Sequence, residues 1–400
     1  MNKLIIYICF YWPLINSCLN IQNFIAKFIS QNIAQLIAYS NVLLIILGIF
    51  LIKRNGGVLS RMNRLWLIFY IIYYCFGLLA AGVSGFKSPI LATLIPVIYF
   101  IGFNFLLSDK SQCRMFFKVL TISFVLSALL TLILFRLNFT FNVGGIYEYD
   151  LDRASGVYGD ANNAALASII AYVLFDKFYN PSKLLFKGFK AMMLLLIFYS
   201  LFVTFSTTGL FVFTIVFFLT NYKFFTGLRL ALFGVSIVLL YVGIFSLKSQ
   251  TKDLDLTKTQ IAKVDNIINV LTFNLQDVDN SGRDSLFEHI LYYLYKNPIL
   301  GNGVDFSAAM RGHNTYIGVW VDAGILAFVF FLGILFYYYL KSFSLDKPIR
   351  FFSLSILIVL SIFMISLQTV LNQPYLIVLF PFIGYIIDYN DSAQNDFNFF

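Results

Sequence analysis

The chain has 400 residues, 60% of them hydrophobic and only 12% charged, against about 45–50% and about 25% in soluble globular domains. Water is therefore excluded as the main solvent of the fold. The net charge of +9 must be divided between the two sides of a bilayer before it says anything about an anionic partner.

The predicted fold class is all-α, a polytopic membrane protein. Apolar segments fall at about 4–20, 33–52, 65–82, 89–107, 116–135, 161–175, 189–205, 209–221, 228–247, 315–340, 351–371 and 374–388, which predicts about twelve transmembrane helices. Several are short for a hydrocarbon core that needs about 20 residues. The N-terminal run ending in INSC at 15–18 resembles a signal peptide, but Trp12-Pro13 and Asn16 suit a membrane span better. Cys9, Cys18 and Cys75 lie in apolar spans and Cys113 in a short basic loop, so no disulfide framework is expected.

Basic residues give the orientation, because cytoplasmic loops carry the lysines and arginines. With the N-terminus inside, seventeen of the 28 fall in cytoplasmic segments and four, Lys27, Lys87, Arg136 and Arg153, in short outer loops. The other seven lie in the long segment 248–314, which is then external. The expected organisation is residues 1–247 as transmembrane helices 1–9, 248–314 as a helical external, periplasmic-side loop domain, and 315–400 as helices 10–12 with a cytoplasmic tail. Within the external segment, 256–276 carries apolar residues at helical spacing.

Three patches stand out from the apolar background. DLDRASGVYGDANNAA at 150–165 surrounds Arg153 with Glu148, Asp150, Asp152 and Asp160. It reads as a solvated loop whose Asp160 caps the next helix, or as a site where the Arg153 guanidinium fork meets phosphoryl oxygens. FSTTG at 205–209 reads as a tight polar turn between two helices.

The third patch, 281–326, holds both histidines. Ser281 and Asp284 form a capping box for a helix running to about Lys296, where Asn297-Pro298 stops it and Gly301-Asn302-Gly303 turns the chain. A second cap at His313-Asn314-Thr315 opens a membrane helix. His289, mid-helix among aromatics, suits packing or an interface. His313, beside Arg311, suits a general base because imidazole takes up and releases a proton near neutral pH. Asp322, two turns into the following helix, is costly there unless it pairs or faces water. It could hydrogen-bond near the interface, or orient His313 or a bound sugar. There is no metal-ligand spacing, phosphate-cradling glycine loop or nucleotide-binding pattern, so no metal, cofactor or nucleic acid is expected.

RASGVYGDANNAA, FSTTGLF, GRDSLFEHILYYLYKNPILGNGV and HNTYIGVWVDAGILA together resemble the O-antigen ligase and Wzy-type O-antigen polymerase superfamily of GT-C-type membrane glycosyltransferases. Their specific motifs cover about 70 residues. The resemblance implies an undecaprenyl-pyrophosphate-linked oligosaccharide as donor and a glycan or lipid acceptor. It further implies transfer outside the bacterial cytoplasmic (inner) membrane, with a polysaccharide flippase and a chain-length regulator as partners. It implies His313, Arg283 and Asp322 as catalytic residues, with Arg153, Arg311, Asn314 and His289 binding substrate. Two features depart from the family pattern. Asp322 stands where glutamate is commoner, and the spacing after Arg153 and Arg283 does not give the R-x10-G form, so polymerase and ligase both stay open. A lipid-linked oligosaccharide flippase is the expectation from another class.

Overall fold

The computed structural model describes residues 2–52, 59–139, 152–224, 235, 258–271, 283–368 and 370–391. Among these residues the structure is helical throughout, with no strand. In chain order the α-helices are α1 (Asn2–Ile6), α2 (Trp12–Cys18), α3 (Ile21–Phe28), α4 (Gln31–Leu51), α5 (Arg61–Ser84), α6 (Ile90–Leu106), α7 (Lys110–Arg136), α8 (Ala161–Phe178) and α9 (Leu184–Phe202). They continue as α10 (Thr207–Thr220), α11 (Lys258–Leu271), α12 (Arg283–Lys296), α13 (Phe306–Ala309), α14 (Thr315–Phe343), α15 (Lys347–Ser366), α16 (Pro374–Ile377) and α17 (Leu379–Asp391).

Six of the described helices, α4, α5, α7, α9, α14 and α15, are long and apolar enough to cross a membrane, and the bent N-terminal pair Lys3–Cys18 and Ile21–Phe28 would make a seventh. They mark the chain as a membrane protein. The 21 residues of α4 span about 31 Å at about 1.5 Å per residue, matching a hydrocarbon core of about 30 Å. Shorter apolar helices occupy three more predicted segments, 89–107, 209–221 and 374–388, and α8 occupies 161–175. The predicted segment 228–247 lies outside the described residues except for Val235.

The chain forms two compact units, Met1–Phe124 with Arg283–Phe400, and Val125–Gly282. The predicted external segment is shared between them, since α11 belongs to the second unit and α12 to the first.

In the first unit α5 and α14 form the central pair. Trp66, Phe69 and Phe331 pack edge-on and tilted at their junction, with Phe380 of α17 4.4 Å from Trp66 between ring centres. Ser60 caps α5 by accepting from the Asn63 amide at 3.1 Å, and the Asp388 carboxylate accepts from Arg61 N at 2.7 Å. A negative group at a helix N-terminus also complements the helix dipole. The second unit is built on α8, whose residues 161–175 are all buried, against α9 and α10.

Candidate functional site

The polar groups of the first unit gather where α14 breaks. Gly324 has φ 78° and ψ 179° inside that helix, a conformation essentially confined to glycine. A break inside a membrane helix frees backbone groups that lipid cannot satisfy. Here the loop after α12 satisfies them. Asn302 N donates to Val321 O at 2.8 Å, Gly303 N to Asp322 O at 3.0 Å, and Ile325 N to Pro298 O at 3.1 Å. The Trp320 indole N–H also donates to Pro298 O, at 2.8 Å. The approach requires glycine at 301 as well: φ is 87°, and a Cβ there would lie 2.6 Å from the Asp322 carbonyl carbon.

Asp322 immediately precedes this break and is 4% exposed. Its Oδ2 accepts from the Tyr73 hydroxyl at 2.7 Å and its Oδ1 from Ser307 N at 2.7 Å. Ser307 O in turn accepts from Gly312 N at 3.0 Å. One residue, Ser307, therefore ties the buried carboxylate to the RGHN turn. Nearby, Asp305 accepts from the Asn372 amide at 2.9 Å. Burial pushes the Asp305 carboxyl above the ordinary carboxylate range, partly offset by that amide.

The RGHN turn holds two non-glycine residues in the left-handed region, Arg311 at φ 55° and His313 at φ 48°. Buried Gly312 lies between them, and both flanking residues are exposed. His313 N donates to the Gln368 side-chain oxygen at 3.1 Å. Asn314 is the N-cap of α14, its side chain accepting from Ile317 N at 3.0 Å, so the predicted second cap stands. That carbonyl oxygen serves the helix end, which bears on the substrate-binding role expected for it.

The predicted helix before the glycine turn is α12, ending at Lys296. Ser281 of the expected capping box, the side chain of Arg283, and Glu148 and Asp150 around Arg153 lie outside the described residues. His289 is exposed on α12, edge-on to Tyr293 at 5.3 Å between ring centres. The adjoining face of α12 buries Ile290 and Leu294 against Phe306 and Val321.

In the second unit, two patches that read separately in sequence come together. Arg153 Nε donates to Thr204 O at 2.9 Å, and Ala154 N to Val203 O at 2.9 Å. The Ser206 hydroxyl caps α10 and donates to Asn162 Oδ1 at 2.9 Å, while Asp160 caps α8 through the amides of Asn162 and Asn163. Gln260 of α11 donates to Asp152 O at 2.9 Å. The carbonyls of Val203 and Thr204, just before FSTTG, thus hold the Arg153 segment, and Ser206 of FSTTG joins it to the start of α8.

Sequence reading passed over Tyr73, Asp305, Ser307, Gln368 and Asn372, all lining one cavity with Asp322. Gln368 and Asn372 are the two with a local signal, being amides at a predicted boundary between apolar spans. Among the described residues there is no cluster of three His, Cys, Asp or Glu side chains placed to hold a metal ion. No family model matches the sequence, and no curated protein matches it.

Proposed function

We propose that the chain is a membrane glycosyltransferase that polymerises undecaprenyl-pyrophosphate-linked oligosaccharide repeats into a surface polysaccharide. In this reading it crosses the bacterial cytoplasmic membrane about twelve times, with 248–314 on the external face. The observation that carries the reading is the RGHN turn. Left-handed backbone at a non-glycine residue costs about 1–3 kcal/mol, and such strain collects at functional sites. Here it occurs twice in three residues, presenting an arginine and the histidine best suited to be a base.

His313 takes the proton of the acceptor hydroxyl as that oxygen attacks the anomeric carbon. The bond to the pyrophosphate breaks, and arginine donors stabilise the charge that develops there. Arg283 and Arg311 serve that purpose, and Arg153 carries a further proposed phosphate contact. In-line attack predicts inversion at the transferred sugar. Asp322 acts on His313 through Ser307 rather than on substrate. Transfer to lipid A core, the ligase reaction, uses the same chemistry with a different acceptor.

Single-turnover transfer and donor binding test the reading, in variants matched for expression. His313→Ala should keep donor affinity and slow transfer by about 10²-fold or more. Arg283→Ala should lose donor binding, with Arg283→Lys rescuing only in part because the bidentate fork is gone. A fully active His313→Ala removes the base. Reporter fusions at Lys187 and Ser281 should give opposite sides, and the same side for both refutes the topology.

A second reading, a transporter of lipid-linked oligosaccharide, is favoured by the broken helix and buried acid at Gly324 and Asp322, features common in transporters. Translocation of the donor across vesicles without any polymer would select it.

A further inference from the structure

Proton removal by His313 leaves the cavity beside Asp322 without a use. Its volume is about 40 Å³, against about 10–15 Å³ for one water, so it admits a few water-sized occupants and no sugar. Its polar lining includes Asp305, Asp322, Tyr70, Tyr73, Gln368 and Asn372, and none of its lining residues is Lys, Arg or His. The Tyr73 hydroxyl and Ser307 amide satisfy hydrogen-bonding positions on Asp322 but bring no positive charge. Among the described residues, neither Asp305 nor Asp322 is joined to a basic side chain. A carboxylate this deep in a membrane helix needs compensation.

Two further groups on the same cavity lack a partner among the described residues, the hydroxyl of Tyr70, itself 8% exposed, and the buried side-chain nitrogen of Gln368. Buried polar groups are ordinarily satisfied, so these two groups turn unused hydrogen-bonding capacity toward the cavity.

We propose that this cavity binds one small monovalent cation, sodium, between the carboxylates of Asp322 and Asp305, with neutral oxygens completing the shell and Gln368 holding a water beside it. Magnesium keeps several waters, more than this volume accommodates. The missing three-residue cluster among the described side chains disfavours a nitrogen- or sulfur-bound transition metal. The inference goes beyond glycan transfer, and its test contains no glycan.

The full chain in lipid nanodiscs is followed by thermal unfolding at constant ionic strength as sodium chloride replaces choline chloride. Potassium chloride is run in parallel, and radioactive sodium binding is measured directly. The expected result is saturable binding of sodium, with an unfolding midpoint that rises in sodium and not in potassium. Asp322→Asn should abolish both effects. Asp305→Asn leaves the Tyr73 and Ser307 bonds to Asp322 in place and should weaken sodium binding by about tenfold or more, as for a lost charged partner. An equal response to sodium, potassium and choline with no bound sodium would overturn the proposal, leaving waters around a protonated Asp322. Sodium binding unchanged in both variants would overturn it too, because the ion would then sit elsewhere.

Discussion

Gly324→Ala tests whether the break in α14 is built into the backbone or merely tolerated by it. At φ 78° and ψ 179° a side chain is strained by about 1–3 kcal/mol. Space is lacking as well. The new Cβ would overlap the Ile299 carbonyl oxygen and lie 2.6 Å from its carbon and 2.9 Å from the Leu300 carbonyl carbon. These are backbone atoms with no rotamer to escape into, so the loop must withdraw. Withdrawal gives up the bonds of Asn302 N, Gly303 N and Ile325 N, each worth about 0.5–1.5 kcal/mol net. Strain and lost bonds together come to about 2.5–7.5 kcal/mol, a large part of an ordinary total stability of about 5–15 kcal/mol. Gly333 lies in the same helix with nothing near its would-be Cβ. Gly333→Ala should therefore be neutral or stabilising by up to about 1 kcal/mol. Reversible unfolding of both variants in the same detergent, followed by tryptophan fluorescence, makes the comparison. Equal stability of the two variants would refute the reasoning, because composition alone would then account for both glycines.

Tyr73→Phe removes one donor from the Asp322 carboxylate while keeping the ring, and should destabilise by about 1–3 kcal/mol, measured by the same unfolding curves. A neutral result would mean that Asp322 does not rely on this hydroxyl. Asp305 predicts a pH dependence whose sign follows from its raised folded-state pKa. Between the ordinary carboxylate value of about 3.9 and its own higher value, the folded chain binds the extra proton. The contribution of this group is therefore full below the ordinary value and is lost as pH rises through the folded one. In sodium-free buffer, Asp305→Asn should flatten that decline, and an unchanged slope would contradict the shift.

What could be read from the sequence was local. The cap at Asn314, the cap at Asp160, the stop at Asn297-Pro298 and the glycine turn each depend on a few neighbouring residues, and each stands in the structure. The break at Gly324 was not legible, because VDAGIL keeps a membrane helix apolar and glycine is frequent in such helices. Tyr73 could not be found at all. It sits in the run FYIIYYCF and meets Asp322 from 249 positions away. Arg153 and FSTTG read as two patches because 51 positions separate Arg153 from Thr204. Nothing in either segment specifies that a guanidinium donates to that carbonyl.

The two-bond path from Asp322 through Ser307 to Gly312 changes what an Asp322 variant can mean. Loss of transfer in Asp322→Asn would not place the carboxylate on substrate, since releasing Ser307 N loosens the residue whose carbonyl holds Gly312 between two strained residues. Tyr73→Phe separates the possibilities because it leaves the Ser307 bond intact. If Asp322 acts by positioning, Tyr73→Phe should keep the transfer rate while lowering stability, and Asp322→Asn should lose rate without losing donor affinity. A carboxylate that touched the reacting sugar would instead feel the loss of the tyrosine hydroxyl directly, because one of its two neutral donors would be gone. The pH profile of transfer would then move in Tyr73→Phe while the turn stayed in place.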